Sequence, residues 1–299
     1  MKRLALFCFL LLLSACAGGG QKPVIENPYA QRMQQLSRVG IEAMQREHWQ
    51  SATLSFEKAL QAAQLSNQPE LEARAWYNLG HLYIGKHDLP QGESAMRKSL
   101  DIARVHGLSV AAMRAQLALA LVQQRMGLKD VWQAEMLSSG WPADVYLSMA
   151  RLAQLQGHTD LAALTYMHVA EKSPSGRLGM IYRAEAWLGL ALLADAKHEQ
   201  DKVQQLTAQV LEVCATVGAP RLAAHALLLQ ARNLSDQAAR RDALQRAWQM
   251  YQALQDRPGQ LDSLRALLAE YEQSGEREQA DTWREKLRLI EGSKGQSDG

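Results

Sequence analysis

The sequence predicts an all-α protein, an α-solenoid of about seven stacked helical hairpins with an extended repeat of about 40 residues. Three observations predict it. Packing centres recur at Gly40, Gly80, Ala120, Ala150, Gly189, Leu229 and Leu268, at intervals of 40, 40, 30, 39, 40 and 39 residues. Between them run amphipathic stretches of helical length, with no alternating strand pattern. Proline and glycine fall at the breaks. A period of this length means hairpins that stack, since one hairpin cannot bury its own apolar face without a neighbour.

The first element is an export signal. Met1-Lys2-Arg3 is basic, residues 4–13 are unbroken apolar, and two small residues, Ser14 and Ala15, precede Cys16. The apolar core is too short to span a membrane as a helix. Leu13-Ser14-Ala15-Cys16 resembles the bacterial lipobox, which implies cleavage after residue 15, diacylglycerol on the Cys16 sulfur and a fatty acid such as palmitate on the new amino terminus; an ordinary secretory signal that contains a cysteine is the plainer reading. Several acyl chains anchor stably, at about 0.8 kcal/mol per buried CH₂. Ala17 follows where, in lipoproteins, an acidic residue favours the inner membrane. The resemblance therefore implies an outer-membrane anchor facing the periplasm. Residues 16–28 hold the lipidated cysteine and a Gly- and Pro-containing tether.

Removing Lys2 and Arg3 leaves 31 basic against 31 acidic residues, so the mature chain is near neutral. No Lys/Arg block argues for nucleic acid. Cys8 leaves with the signal and Cys16 takes lipid, so Cys214 has no intrachain partner. In LEVCATVG it reads as a buried helical residue.

Hairpin boundaries follow from the punctuation. Pro69, Pro142, Pro174, Pro220 and Pro258 stand before or at the opening of a first helix, and Pro90 opens a second helix behind Asp88. None falls in a helix interior, where it would cost about 3 kcal/mol. Gly127, Gly157 and Gly275 each precede a second helix, where left-handed backbone is cheap for glycine. The short interval between Ala120 and Ala150, with SSGWPAD at 138–144, predicts a kink between an N-terminal arm of three repeats at 29–137 and a C-terminal arm of four at 138–290. Residues 291–299 read as a polar, disordered tail.

Within the second repeat, Trp76, Leu79, Gly80 and Tyr83 lie on the first helix, followed by Gly92, Met96 and Ser99 on the second. The first repeat has Gly40, Ala52, Phe56 and Ala59; the fourth has Tyr146, Ala150, Gly157, Ala162 and Tyr166; the last has Leu264, Tyr271, Gly275 and Ala280. This pattern resembles the tetratricopeptide repeat (TPR) family over residues 29–290. The chain departs from that family in its longer period, which implies helices longer by a turn or so.

No catalytic or cofactor signature accompanies the repeats. There is no Gly-x-Ser-x-Gly, His-Glu-x-x-His, Walker or Gly-x-Gly-x-x-Gly motif. His48, His81, His87, His158 and His225 are scattered over different repeats, and HEQDK at 198–202 lacks a second zinc histidine. The sequence therefore reads as a non-enzyme with no metal and no cofactor. Glu270 with Glu272 and Glu276 with Glu278 read as solvated surface. Trp132, Trp187, Trp248 and Trp283 read as core between repeats; Trp141, in a Gly-Trp-Pro loop, admits either core or an exposed contact.

The TPR resemblance places ligands along the concave face of the first helices. Carried over position by position, it implies a groove of Tyr77, Asn78 and His81 from the second repeat, Arg114, Gln124 and Arg125 from the third, Arg151 and Gln154 from the fourth and Arg183 from the fifth. Four arginines would suit an acidic or carboxylate-bearing peptide through bidentate hydrogen bonds, or they merely keep the surface solvated. The Lys/Asn carboxylate clamp of some family members is missing, with Ser37 and Ile41 at two of its positions. The expectation is a lipid-anchored periplasmic adaptor that binds a protein partner in envelope assembly, such as pilus, secretion or outer-membrane biogenesis or recruitment of a cell-wall enzyme. The alternative is a receptor for a small ligand or peptidoglycan fragment.

Overall fold

The computed structural model describes residues 27–128 and 140–292. The signal, Cys16 and most of the tether lie outside the described residues, as do Trp132, the 137/138 arm boundary and residues 293–299 of the tail. Thirteen helices fill the described chain: α1 (Pro28–Gln45), α2 (Trp49–Ser66), α3 (Pro69–Gly85), α4 (Leu89–Val105), α5 (Ser109–Arg125), α6 (Ala143–Leu155), α7 (Thr159–Lys172), α8 (Arg177–Ala196), α9 (Gln200–Val217), α10 (Pro220–Arg232), α11 (Gln237–Ala253), α12 (Arg257–Gln273) and α13 (Arg277–Gly292).

Local chemistry explains the boundaries. Stretches such as α5 and α10 are built mainly from Ala, Leu, Gln and Arg, which lose little entropy in a helix. Pro28, Pro69 and Pro220 occupy the first helical residue, where the missing N–H costs nothing. Asn27 caps α1 by accepting from the Tyr29 and Ala30 amides, so the helix begins one residue ahead of the expected arm. Asp88, Asp236 and Asp256 cap α4, α11 and α12 in the same way, each cap contributing about 1 kcal/mol.

All seven packing centres fall on first helices: Gly40 on α1, Gly80 on α3, Ala120 on α5, Ala150 on α6, Gly189 on α8, Leu229 on α10 and Leu268 on α12. Six complete hairpins pair α1 with α2, α3 with α4, α6 with α7, α8 with α9, α10 with α11 and α12 with α13. Helix α5 is a seventh first helix. Most helices run 16 to 20 residues; α6, α7 and α10, at 13 to 14, do not share the extension implied by the period.

Close approach accounts for the glycines. A Cβ on Gly40 would sit 2.8 Å from the buried Phe56 ring, and one on Gly80 would sit 2.7 Å from Cε of Met96. Gly189 presses on Tyr166 and Gly259 on Tyr251. Hydrophobic burial follows the stacking as a series of clusters, each shared by neighbouring hairpins. Cys214 is buried in one of them, its thiol pushed up to about 11 by that burial.

Helices that touch their next-but-one neighbour, α1 with α3, α3 with α5, α6 with α8 and α8 with α10, are all first helices. They therefore line the tighter, concave side. Curvature brings the ends together: Glu47, in the turn between α1 and α2, pairs with Arg257 at the start of α12 at 2.9 Å.

Candidate functional site

The concave surface is laced by a ladder of arginine–carboxylate pairs. Arg114 on α5 grips Asp144 on α6 through two hydrogen bonds of 2.7 and 3.2 Å. Arg151 on α6 reaches Glu185 on α8 at 2.8 Å, and Arg221 on α10 reaches Asp256, the cap of α12, at 2.7 Å. Each pair joins one first helix to the next repeat, over 30 to 35 residues of sequence. Arg114 and Arg151 are thus already neutralised.

The other groove residues meet different fates. Tyr77 and His81 pack edge to face, 4.5 Å between ring centres. Burial, with Arg125 nearby, holds the His81 imidazole down at about 4, and burial raises the Tyr77 phenol. Asn78 donates to Ser37 of the preceding repeat at 3.4 Å. Gln154 accepts from the Tyr166 hydroxyl at 3.1 Å. Arg183 donates to the carbonyls of Ala170 and Ser173, satisfying the end of α7 rather than a ligand. The Gln124 side-chain oxygen is buried with no partner. Arg125 is exposed and, among the described residues, has no ion-pair partner.

Three concavities are lined by residues that the sequence singled out. Tyr77, Asn78, Arg114 and Asp144 line a cavity of about 310 Å³. Across the Arg114–Asp144 pair, a second of about 450 Å³ has aromatic walls of Trp141, Tyr146 and Tyr182, with Lys172 at its edge. Trp141 is half-buried and packed against the core, and its indole N–H has no partner. The third and largest, about 990 Å³, lies between the end of α1 and helices α8 and α10. Arg151 alone of the sequence-derived groove residues lines it.

Sequence reasoning missed the rest of that chamber: Arg46 from α1, Arg177, Ile181 and Leu188 from α8, and Arg221, Leu222 and His225 from α10. No repeat signal marks Arg46, since it reaches the site only through the curvature of the whole solenoid. Burial lowers the His225 imidazole, so near neutral pH it adds no charge. The paired acids at the C-terminal end also differ from expectation. Glu270 is buried and bonded at 2.9 Å to Arg240 in the first turn of α11; it is not solvated surface.

Among the described residues no group of three or more His, Cys, Asp or Glu could hold a metal ion, and no helix is long and apolar enough to cross a membrane. Chemically, the arrangement offers an open concave bed with apolar patches and guanidinium donors. The fold and this bed define the class as an all-α solenoid of helical hairpins.

No protein-family model matches the sequence, and no curated protein matches it. Among solved structures, the chain is similar to BtubC (BKLC) from P. vanneervenii, at 14% identity over 90% of this chain and 93% of that one, with a TM-score of 0.46.

Proposed function

We propose that this chain is a TPR-type lipoprotein, a non-enzymatic adaptor held at the outer membrane through Cys16 and facing the periplasm, which holds a segment of a protein partner on its concave face during envelope assembly. The observation that carries the reading is the chamber of about 990 Å³, lined by helices from non-adjacent repeats. Such a bed suits an elongated partner, because first helices from successive repeats present side chains along a line. The lipid would hold the adaptor at one surface and raise the partner's local concentration there.

In-cell photo-crosslinking tests it, with the crosslinker at Tyr77, Arg125 and Arg151 and a control at Lys98, which lies on α4 over the Trp76 ring. One envelope protein captured from the concave positions and not from Lys98 is expected; equal capture from Lys98 would contradict the reading. Substituting Cys16 by alanine should release the protein from the membrane fraction.

A second reading, a receptor for a peptidoglycan fragment or other small ligand, is favoured by the aromatic cavity around Trp141. Its aromatic walls suit stacking against a sugar ring. Binding of a soluble muropeptide that is lost in Trp141→Ala, with no protein captured from the groove, would favour it.

A further inference from the structure

The ion pair between Glu47 and Arg257 spans 210 residues of sequence and is 24% and 18% exposed on its two sides. Arg257 does more than meet Glu47. Its second terminal nitrogen donates to the carbonyls of Ile290 at 2.8 Å and Glu291 at 3.3 Å, so one guanidinium ties the first hairpin's turn to both helices of the last. Glu47 itself sits in left-handed backbone, φ 58°, where the chain leaves α1 for α2. The carboxylate is therefore presented by a tight turn, and its position follows that of the whole first hairpin.

This clasp makes the end of α1 a wall of the large chamber. Glu42, Gln45 and Arg46 form that wall, opposite α8 and α10. The apolar part of the lining comes from Ile181, Leu188, Leu222 and Leu254. Its charge is uneven. Arg151 and Arg221 are neutralised by Glu185 and Asp256. Arg177 spends only its Nε, on the Val217 carbonyl at 3.0 Å. Among the described residues neither Arg177 nor Arg46 meets a carboxylate, and Glu42 is the one acid of the lining without an ion pair. Two guanidinium groups with hydrogen bonds to give thus stand on facing walls, one from the first hairpin and one from α8 in the middle of the chain.

We infer that this chamber is the seat for a peptide segment in which a carboxylate adjoins apolar side chains, and that the Glu47–Arg257 clasp gates it. The inference rests on the adaptor reading and names the chemistry of its partner. The carboxylate is gripped by Arg46 from one wall and Arg177 from the other, as charge-assisted hydrogen bonds favour. An occupant that touches both walls binds the closed ring better than the open one, so it stabilises the clasp and an opened clasp weakens it.

The experiment uses the full chain with spin labels at Gln50→Cys and Gln252→Cys, both exposed positions that flank the clasp in sequence. Two probes are titrated, an acetylated hexapeptide of alternating Leu and Glu and its neutral twin of Leu and Gln. A single short distance is expected for the unaltered clasp, a longer and broader one for Arg257→Glu, and recovery in Glu47→Arg/Arg257→Glu. The acidic hexapeptide should bind about tenfold tighter than the neutral one. That preference should vanish in Arg46→Ala/Arg177→Ala, weaken in Arg257→Glu and return in the charge-swapped double variant, which also shows that the single variant has not simply unfolded. Equal affinity for the two peptides, no binding of either, or affinity indifferent to the clasp would overturn the inference. If a partner is still captured from Tyr77 or Arg125, the adaptor reading stands without the chamber; if none is, that reading fails on its own.

Discussion

Two stretches of the concave surface use arginine differently: the first pairs Arg114, and the second sets unpaired guanidinium groups beside the pairs of Arg151 and Arg221. Between α3 and α6 the polar groups are largely consumed by the joint itself: Asn78 on Ser37, Arg114 on Asp144, and Glu93 of α4 accepting from Gln123 of α5 at 3.0 Å. Around α8 and α10, Arg177 and Arg46 keep guanidinium nitrogens without a carboxylate, beside apolar side chains. The difference teaches that an arginine's role here is set by its neighbour one repeat onward. With an acid 30 to 35 residues later in the next repeat it becomes a rivet between repeats; without one it turns to helix-end carbonyls, as Arg183 does, or keeps nitrogens to give, as Arg177 does.

Several changes break or sharpen this contrast. The largest effect is expected at His81, in the riveted stretch. Its half-buried imidazole is held down to about 4, below the ordinary value near 6.5, so the unfolded chain binds more protons between those values. Stability from this group is intact above pH 6.5 and declines as pH falls to about 4, by at most about 3 kcal/mol. Denaturant unfolding at pH 7 and pH 4.5 should show a smaller acid loss in His81→Gln than in the unaltered chain.

Packing within the stack comes next. Gly40→Ala should cost about 2 kcal/mol, since the rigid Phe56 ring stands where the new methyl would go, and Gly80→Ala about 1 kcal/mol, since Met96 can bend away. Thermal unfolding of the two variants checks the order. Asp144→Ala, which strands Arg114, should cost less than about 1 kcal/mol, because the pair is 44% and 31% exposed and partly screened. Arg46→Ala and Arg177→Ala should change stability by under about 0.5 kcal/mol while reducing partner binding. A larger loss of stability in either would make them rivets as well.

Much of the architecture is legible in the sequence. The seven packing centres land on seven first helices because close helix crossings demand small or well-fitted residues at fixed places in each repeat. The prolines mark helix openings for the reason that their missing N–H is tolerated only there. The turns are only partly legible. Gly127, Gly157 and Gly275 adopt positive φ as expected, but Glu47, His87, His198 and Gln255 take the same left-handed conformation with a side chain in place. Backbone hydrogen bonds that close the preceding helix hold them, from the amides of His48, Asp88, Glu199 and Asp256 to the carbonyls of Ala43, Tyr83, Ala194 and Tyr251.

The candidate site was less readable still. Family geometry put Tyr77, Asn78 and Arg114 on the concave face, where they line a cavity together. It could not tell that Arg114 and Arg151 are paired, nor that Arg183 caps a helix end. Those outcomes depend on which residue the next helix presents. The chamber depends on something more remote, the summed small rotations between repeats that return α1 to α8 and α10. A periodic pattern gives the number of hairpins and leaves that sum open.

The most direct measurement is capture of the partner from a photo-crosslinker at Leu222, inside the chamber, in two backgrounds. A partner seated on unpaired arginines predicts that Arg46→Ala/Arg177→Ala lowers the yield about tenfold while Arg114→Ala/Asp144→Ala leaves it within about twofold. The reverse order, or no capture from Leu222 when Tyr77 still captures, would contradict it.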